Sequence, residues 1–236
     1  MTYTGSKGKL ALSQPVDSAP LAVDAIFVYT IAHDYDAVKE DFGVNNFFAY
    51  LARLRLIRRW GLMYATQPEN DAEHSLQVAM IAHGLAVIAR DRYGKQVDPD
   101  RITTLAVYHD VGEIFTGDLP TPVKHHDGVI HGAYAELEQE AMERLLHALP
   151  QDLQAVYAGY LFPDESTLEW KLVKAADRIS AWCRCKEETG AGNREFASAE
   201  KHTLQAIEAM HMPEVEDFMR EFGSSFGKSL DEMEGN

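Results

Sequence analysis

From Asn45 onward, apolar residues recur at the three- and four-residue spacing of an α-helix. Asn45-Asn46 stand before Phe47, Phe48, Leu51, Leu54 and Ile57, with Gly61 after them, which predicts a first helix. Asn70-Asp71-Ala72-Glu73 has the form of a capping box and opens a second helix through Leu76, Ala79, Met80 and Ala86. Asp98-Pro99 supplies an N-cap followed by proline at the first helical position, so a third helix is expected through 102–115, ended by Thr116-Gly117. Further helices are expected over 129–148, briefly after Pro150, over 166–188 (opened by Ser166-Thr167-Leu168-Glu169), over 194–210 and over 213–226. Residues 231–236 read as a frayed acidic tail. Residues 45–236 therefore form one all-α domain. Residues 1–44 differ: Thr, Ser, Gly and Pro crowd the first twenty, and 25–31 has strand propensity, so this stretch is an N-terminal extension, a strand or an arm.

Charge narrows the function. The chain has 236 residues, 46% of them apolar, enough for a substantial core, and carries a formal net charge of −15. A field of that sign opposes binding to DNA or RNA polymers, while a small phosphorylated molecule remains compatible where positive charge is gathered locally. The only cysteines, Cys183 and Cys185, point about 200° apart on a helix and cannot pair. No stretch approaches the roughly 18 apolar residues of a membrane span, and Met1 to Pro20 lacks the pattern of a secretion signal. A cytoplasmic location without membrane association is the expectation.

Candidate chemistry lies in His74, the adjacent pair His109-Asp110, and Asp177. Two imidazoles and two carboxylates suit Mn²⁺, Co²⁺, Fe²⁺, Zn²⁺ or Mg²⁺ rather than a sulfur-seeking metal. Most helical histidines are packing or surface residues; His83, nine positions after His74, falls on the opposite face of its helix. Asp177 is different, because it interrupts the apolar face Leu172, Val173, Ala176, Ile179, Ser180 and needs a metal, a cation or several donors if buried. Pairing with Lys174 or Arg178 is its plainer reading. Glu113, one turn beyond His109-Asp110, is placed to move a proton. Arg53, Arg55, Arg58 and Arg59 concentrate positive charge in an acidic chain, but the first three fit a solvated face. Arg59, beside Trp60, offers a planar fork of donors for phosphate.

The ordered set is more specific than any of its parts. Phe47-Phe48-Ala49, Arg53-Leu54, Arg59-Trp60, Glu69 to Ala79, Tyr108-His109-Asp110 and Gly117-Asp118-Leu119-Pro120-Thr121-Pro122-Val123-Lys124 resemble the HD-domain phosphohydrolases, and within them the bacterial 5′-deoxynucleotidase branch. The likeness covers about residues 46–232 and continues through Ala191-Gly192-Asn193. It implies a helical bundle, commonly a homodimer, with one divalent cation on His74, His109, Asp110 and Asp177. It further implies that Glu113 and Arg59 are catalytic, Glu113 through the proton and Arg59 by orienting the phosphate. Trp60, Asp118, Leu119, Pro120, Thr121 and Lys124 would then line the deoxynucleotide site together with Arg59, His74, Asp110 and Asp177. The expected reaction is release of phosphate from a deoxynucleoside monophosphate. Two rivals are a deoxynucleoside triphosphate triphosphohydrolase, which would draw on Arg55, Arg58 and Lys124 for the added phosphates, and a metal-stabilised regulatory module without turnover. Residues 1–44 and Val111-Gly112 depart from the typical family pattern.

Overall fold

The computed structural model describes residues 45–119 and 128–235, so the extension expected over 1–44 lies outside the described residues. Helix α1 spans Phe47–Leu51, and a single 3₁₀ turn follows at Leu54–Leu56. Then come α2 (Asp71–Tyr93), α3 (Pro99–Tyr108), the short α4 (Glu113–Thr116), α5 (Gly128–His147), α6 (Gln151–Leu161) and α7 (Leu168–Gly190). A 3₁₀ turn at Arg194–Phe196 leads into α8 (Ala197–Glu208), followed by α9 (Pro213–Phe222) and α10 (Leu230–Glu234). The all-α expectation holds; among the described residues the only β pairing is one antiparallel bridge, Arg58 to Asn70.

Two apolar clusters organise the domain. The larger joins α2, α3, α7, α8 and α9 through Val78, Leu85, Ile102, Leu105, Leu172, Ile179, Ile207 and Phe218. The smaller gathers Phe47, Leu54, Val111, Leu145, Leu149 and Leu161 around α1, α5 and α6. Ala106 belongs to the first cluster and Val111 to the second, so His109-Asp110 falls where the chain crosses between them. The site thus stands on two packed cores, a rigid base for side chains that must hold geometry.

Several boundaries differ from the pattern-based expectation. The first helix breaks after Leu51, and Asn46 makes no side-chain cap. Instead Phe47 N–H donates to Ala148 O at 3.3 Å, a tertiary bond that replaces the local one. Leu76 and Met80, expected on the inner face of α2, are each 61% exposed. The reason is that α2 packs against α3, α7 and α9 together, so its buried arc is filled by Val78, Ala79, Ile81, Ala82, Leu85 and Ala86, and Leu76 and Met80 fall on the remaining stripe. Thr167 rather than Ser166 caps α7, accepting from Trp170 N, while Ser166 bonds Asp164. The tail winds into α10, where Ser229 and Glu232 form a reciprocal capping box.

The helix expected over 102–115 also stops early, at Tyr108. From there backbone bonds tighten to the three-residue step: Val111 N to Tyr108 O, Glu113 N to Asp110 O and Phe115 N to Gly112 O. Residues three apart eclipse one another in that geometry, which sets Glu113 over Asp110. Gly112 allows the turn to nestle against α5, because a Cβ there would stand 3.3 Å from Met142 Cε. That is the structural content of the Val111-Gly112 departure.

Candidate metal and phosphate site

His74 lies on the first turn of α2, whose start is set by Asn70 Oδ1 accepting from Ala72 N and Glu73 N at 3.1 Å each. Asp177 lies mid-way along α7, and His109-Asp110 on the tightened turn after α3. One ligand-capable atom from each of these four residues lies within 4.8 Å of all the others. His74 Nε2 is 3.2 Å from Asp177 Oδ1 and 3.7 Å from Asp110 Oδ2; His109 Nε2 is 3.0 Å from Asp110 Oδ2 and 3.9 Å from Asp177 Oδ1.

The far side of each imidazole is committed. His109 Nδ1–H donates to Ala106 O at 2.8 Å. Ser180 Oγ–H donates to Gln77 Oε1 at 2.6 Å, so the Ser180 oxygen accepts from His74 Nδ1 at 3.1 Å. Both rings therefore turn Nε2 toward the carboxylates, the atom that a divalent cation would take in exchange for its proton. His109 Nε2 is buried and makes no hydrogen bond of sound geometry, which fits a coordinating atom awaiting a cation. Asp177 combines both readings of its sequence position: Oδ2 pairs with Lys174 at 2.9 Å while Oδ1 faces His74.

Electrostatics point the same way. Burial works against a charged His109, yet Asp110 and Asp177 raise its pKa to about 10. Burial likewise opposes ionisation of Asp110 and Asp177, but His109 for the first and Lys174 and the histidines for the second hold both below the usual carboxylate range. A compact nest of this kind stabilises positive charge at its centre. Its chemistry is that of a divalent-metal site.

Arg59 reaches this nest by a route that helical periodicity did not predict. The segment carrying it runs antiparallel to the start of α2: Arg59 N donates to Glu69 O at 3.1 Å and Asp71 N to Ile57 O at 3.2 Å. Its Nε is 3.6 Å from Glu69 Oε2, and Nη1 is 3.6 Å from Asp71 Oδ1 and 3.5 Å from Asp110 Oδ2. Burial disfavours its charge, but Asp110, Asp177, Asp118 and Glu69 outweigh that and hold its pKa above the ordinary value. Nη2 takes part in none of these three pairs. Arg53, Arg55 and Arg58 are exposed, as expected of a solvated face.

Trp60 adopts φ 59°, a left-handed conformation that costs an L-residue roughly 1–2 kcal/mol. It is held there by Nε1 donating to Glu69 Oε2 at 2.7 Å and by an edge-on contact with Phe196, ring centroids 5.3 Å apart. Glu113 is buried and interacts with the Asp71 carboxyl. Asp118 and Leu119 are half-buried, and the Asp118 charge is felt by both Arg59 and Asp71. Pro120, Thr121 and Lys124 lie outside the described residues. His83 is exposed on the outer stripe of α2. Glu69, Ser180, Gln77 and Lys174 are parts of the site that motif reading passed over as site residues, because only the tertiary fold sets them against it.

A model of the family described as 5′-deoxynucleotidase YfbR-like matches residues 46–226. The chain belongs to that family. It is 46% identical over 190 residues to a 5′-deoxynucleotidase of Vibrio parahaemolyticus, covering 80% of this chain and 98% of the relative. A Pasteurella multocida 5′-deoxynucleotidase is 47% identical over 191 residues, and Escherichia coli YfbR 44% over 193. Among solved structures, an HD-domain phosphohydrolase from Listeria innocua superposes with a TM-score of 0.68 at 26% identity, covering 80% of this chain and 92% of that one. A cyanophage S-2L HD phosphohydrolase, bound in its structure to dA and one catalytic Zn²⁺, shares the fold with a TM-score of 0.54 at 24% identity, covering 77% of this chain and 96% of that one. The expected superfamily, fold and enzyme class are borne out: this is an HD-type phosphohydrolase. Among the described residues no helix is long and apolar enough to cross a membrane.

Proposed function

We propose that this protein hydrolyses deoxynucleoside 5′-monophosphates to the deoxynucleoside and inorganic phosphate, using one divalent cation. The observation that carries the reading is the convergence of His74, His109, Asp110 and Asp177 within 4.8 Å, with Arg59 at its edge. Those four residues would hold the cation, and their two-nitrogen, two-carboxylate set suits Co²⁺, Mn²⁺ or a similar divalent ion, Zn²⁺ and Mg²⁺ among them. Bound there, a divalent cation supplies Lewis-acid charge to the phosphoryl group and acidifies water.

The chain's own residues account for the rest. Arg59 binds phosphate oxygens through its fork and neutralises charge as the ester bond to O5′ breaks. Glu113 takes a proton from the attacking water as the new P–O bond forms and delivers it to the departing O5′, so atoms and charge balance. Trp60, Asp118 and Leu119 line the nucleoside side, and Asp118 reads a sugar hydroxyl. Relatives named as 5′-deoxynucleotidases favour the monophosphate over the triphosphate reading, and the exposure of Arg55 and Arg58 supports the same choice.

Homodimerisation belongs to the same proposal. Leu76 and Met80, one turn apart and each 61% exposed, offer an apolar face for it, and light scattering of the purified protein tests it. We further take the enzyme to work in the cytoplasm, where the buried thiols of Cys183 and Cys185 stay reduced. Two measurements test the activity. Wild-type protein supplied with Mn²⁺, Co²⁺ or Mg²⁺ should release phosphate from deoxynucleoside monophosphates, and release of triphosphate from dATP instead would displace the reading. Glu113→Ala should keep its metal and lose at least about 10²-fold in kcat, in line with general acid–base catalysis; an active variant would remove Glu113 from its role.

A further inference from the structure

The roles above leave one buried carboxyl unexplained. Asp71, the first residue of α2, is 0% exposed. It is not needed as a cap, since Asn70 already accepts from the first free amides of the helix. Neither of its oxygens makes a hydrogen bond of sound geometry among the described residues. A carboxyl in that setting weakens a fold unless it serves something else. Its neighbours say what. Oδ1 lies 3.6 Å from Arg59 Nη1, and the same carboxyl interacts with Glu113. Arg59 Nη1 has one further carboxylate near it, Asp110 at 3.5 Å, but Asp110 is assigned to the cation. Glu69, the partner of Nε, is already accepting from Trp60. Asp71 is therefore the carboxylate left to Nη1 once the site is loaded.

We propose that Asp71 is a positioning residue for phosphate binding: from the buried side it holds the Arg59 guanidinium in the orientation that turns its remaining edge toward the substrate phosphate, beside Glu113. This rests on the assignment of Arg59 to the phosphate. An arginine fork binds two oxygens only when its plane is set, and a partner on one edge sets that plane without touching the ligand. The residue type matters as well as its place, because an aliphatic side chain at this position would fill the space and leave Arg59 free to turn.

The experiment compares metal-loaded wild type with Asp71→Ala and Asp71→Asn, each also made in an Arg59→Ala background. KM and kcat for a deoxynucleoside monophosphate, the inhibition constant of inorganic phosphate and the bound metal are measured for each. Asp71→Ala should raise KM and the phosphate inhibition constant about tenfold with metal content unchanged, the scale of a lost charge-assisted contact. Asp71→Asn keeps an acceptor oxygen beside Arg59 and should recover most of that loss. In the Arg59→Ala background, Asp71→Ala should add less than about twofold, since the two act through one contact. If Asp71→Ala does not fold, Asp71→Val takes its place in both backgrounds. Full additivity with Arg59→Ala, or a change in melting temperature with KM and phosphate inhibition unmoved, would overturn the proposal while leaving Arg59 in its role. An Arg59→Ala enzyme with unchanged KM and phosphate inhibition would instead remove the assignment on which it rests, and the proposal with it.

Discussion

Replacing Glu188 by glutamine should destabilise the protein and loosen the segment that holds Arg59 in one stroke. Glu188 sits near the end of α7 and is 1% exposed. Its carboxylate accepts from Thr66 N at 3.0 and 2.9 Å, from Gln67 N at 3.4 Å and from Asn193 Nδ2 at 2.8 Å, and Arg184 closes against Oε1. Glutamine has the same shape, but one oxygen becomes an amide that donates, so some of these donors then face a donor. A hydrogen bond to a charged acceptor contributes about 1.5–3 kcal/mol, and breaking a buried ion pair costs about 3–5 kcal/mol. These overlap here, since one carboxylate serves both, which gives a loss of about 3–4 kcal/mol. Urea unfolding should show a lower midpoint with an unchanged slope. The segment that Glu188 fastens runs directly into Glu69, which holds Trp60 and Arg59, so kcat/KM should fall with stability. Acid supplies a second reading. Burial pushes the Glu188 carboxyl up, but its bonds to Asn193, Thr66 and Gln67 more than offset this and hold it below its ordinary value. Its contribution is complete above the unfolded carboxyl's pKa of about 4.3 and is lost as pH falls further. The gap between wild type and Glu188→Gln should therefore narrow on acidification. A loss under about 1 kcal/mol at pH 7, or a gap that widens in acid, would refute the reasoning.

Ser180→Ala removes the oxygen that receives the His74 Nδ1 proton, freeing the ring to turn and change tautomer; divalent-metal affinity should fall about 10- to 100-fold in competition with a chromophoric chelator, and unchanged affinity would show the tautomer is set elsewhere. Asp71→Asn should shift stability with a pH dependence of the opposite sign to that of Glu188. Burial first, with help from Asp110 and Asp118 and against Arg59 and Glu113, pushes the Asp71 carboxyl up to about 7. The folded state then holds a proton that the unfolded chain releases near pH 3.9, so this stabilisation is present in acid and lost as pH rises from about 4 to 7. Asparagine has no such loss, and in chelator the melting temperature of the variant should gain on wild type between pH 5 and pH 8 by several degrees; a difference that shrinks over that range would contradict it.

How much of this was legible along the chain depends on the reach of each interaction. Helix starts encoded by neighbours within three residues came through: Asn70 and Asp98 cap α2 and α3 where their spacing said they would. Asn46 and Ser166 had the same local form and failed, because Phe47 N found Ala148 O across the fold and Thr167 took the cap at α7. The order His74, His109-Asp110, Asp177 was readable because a metal-ligating set demands particular side chains, and the Arg59-Trp60 and Gly117 to Lys124 motifs because their residue types are chemically narrow. Glu69, Asp71 and Gln77 stand inside the Glu69 to Ala79 motif and Ser180 on an apolar helix face, yet nothing local marked which side chains they would serve. A serine on a helix face or an aspartate at a helix start is common, and only contact with His74 or Arg59 gives either a role.

Periodicity, a local property, determined that this chain is helical, and its ordered motifs, through their resemblance to the HD-domain phosphohydrolases, marked the enzyme class and the side chains its cation would need. The tertiary structure decided the rest. It replaced a continuous helix by the tightened turn that sets Glu113 over Asp110, because the chain there must pass from one apolar cluster to the other. It brought Arg59 to the site by pairing an extended segment with the start of α2, a contact between residues that no helical period relates. It also left Leu76 and Met80 in solvent, since a helix packed on several sides spends its burial on the arc its neighbours cover.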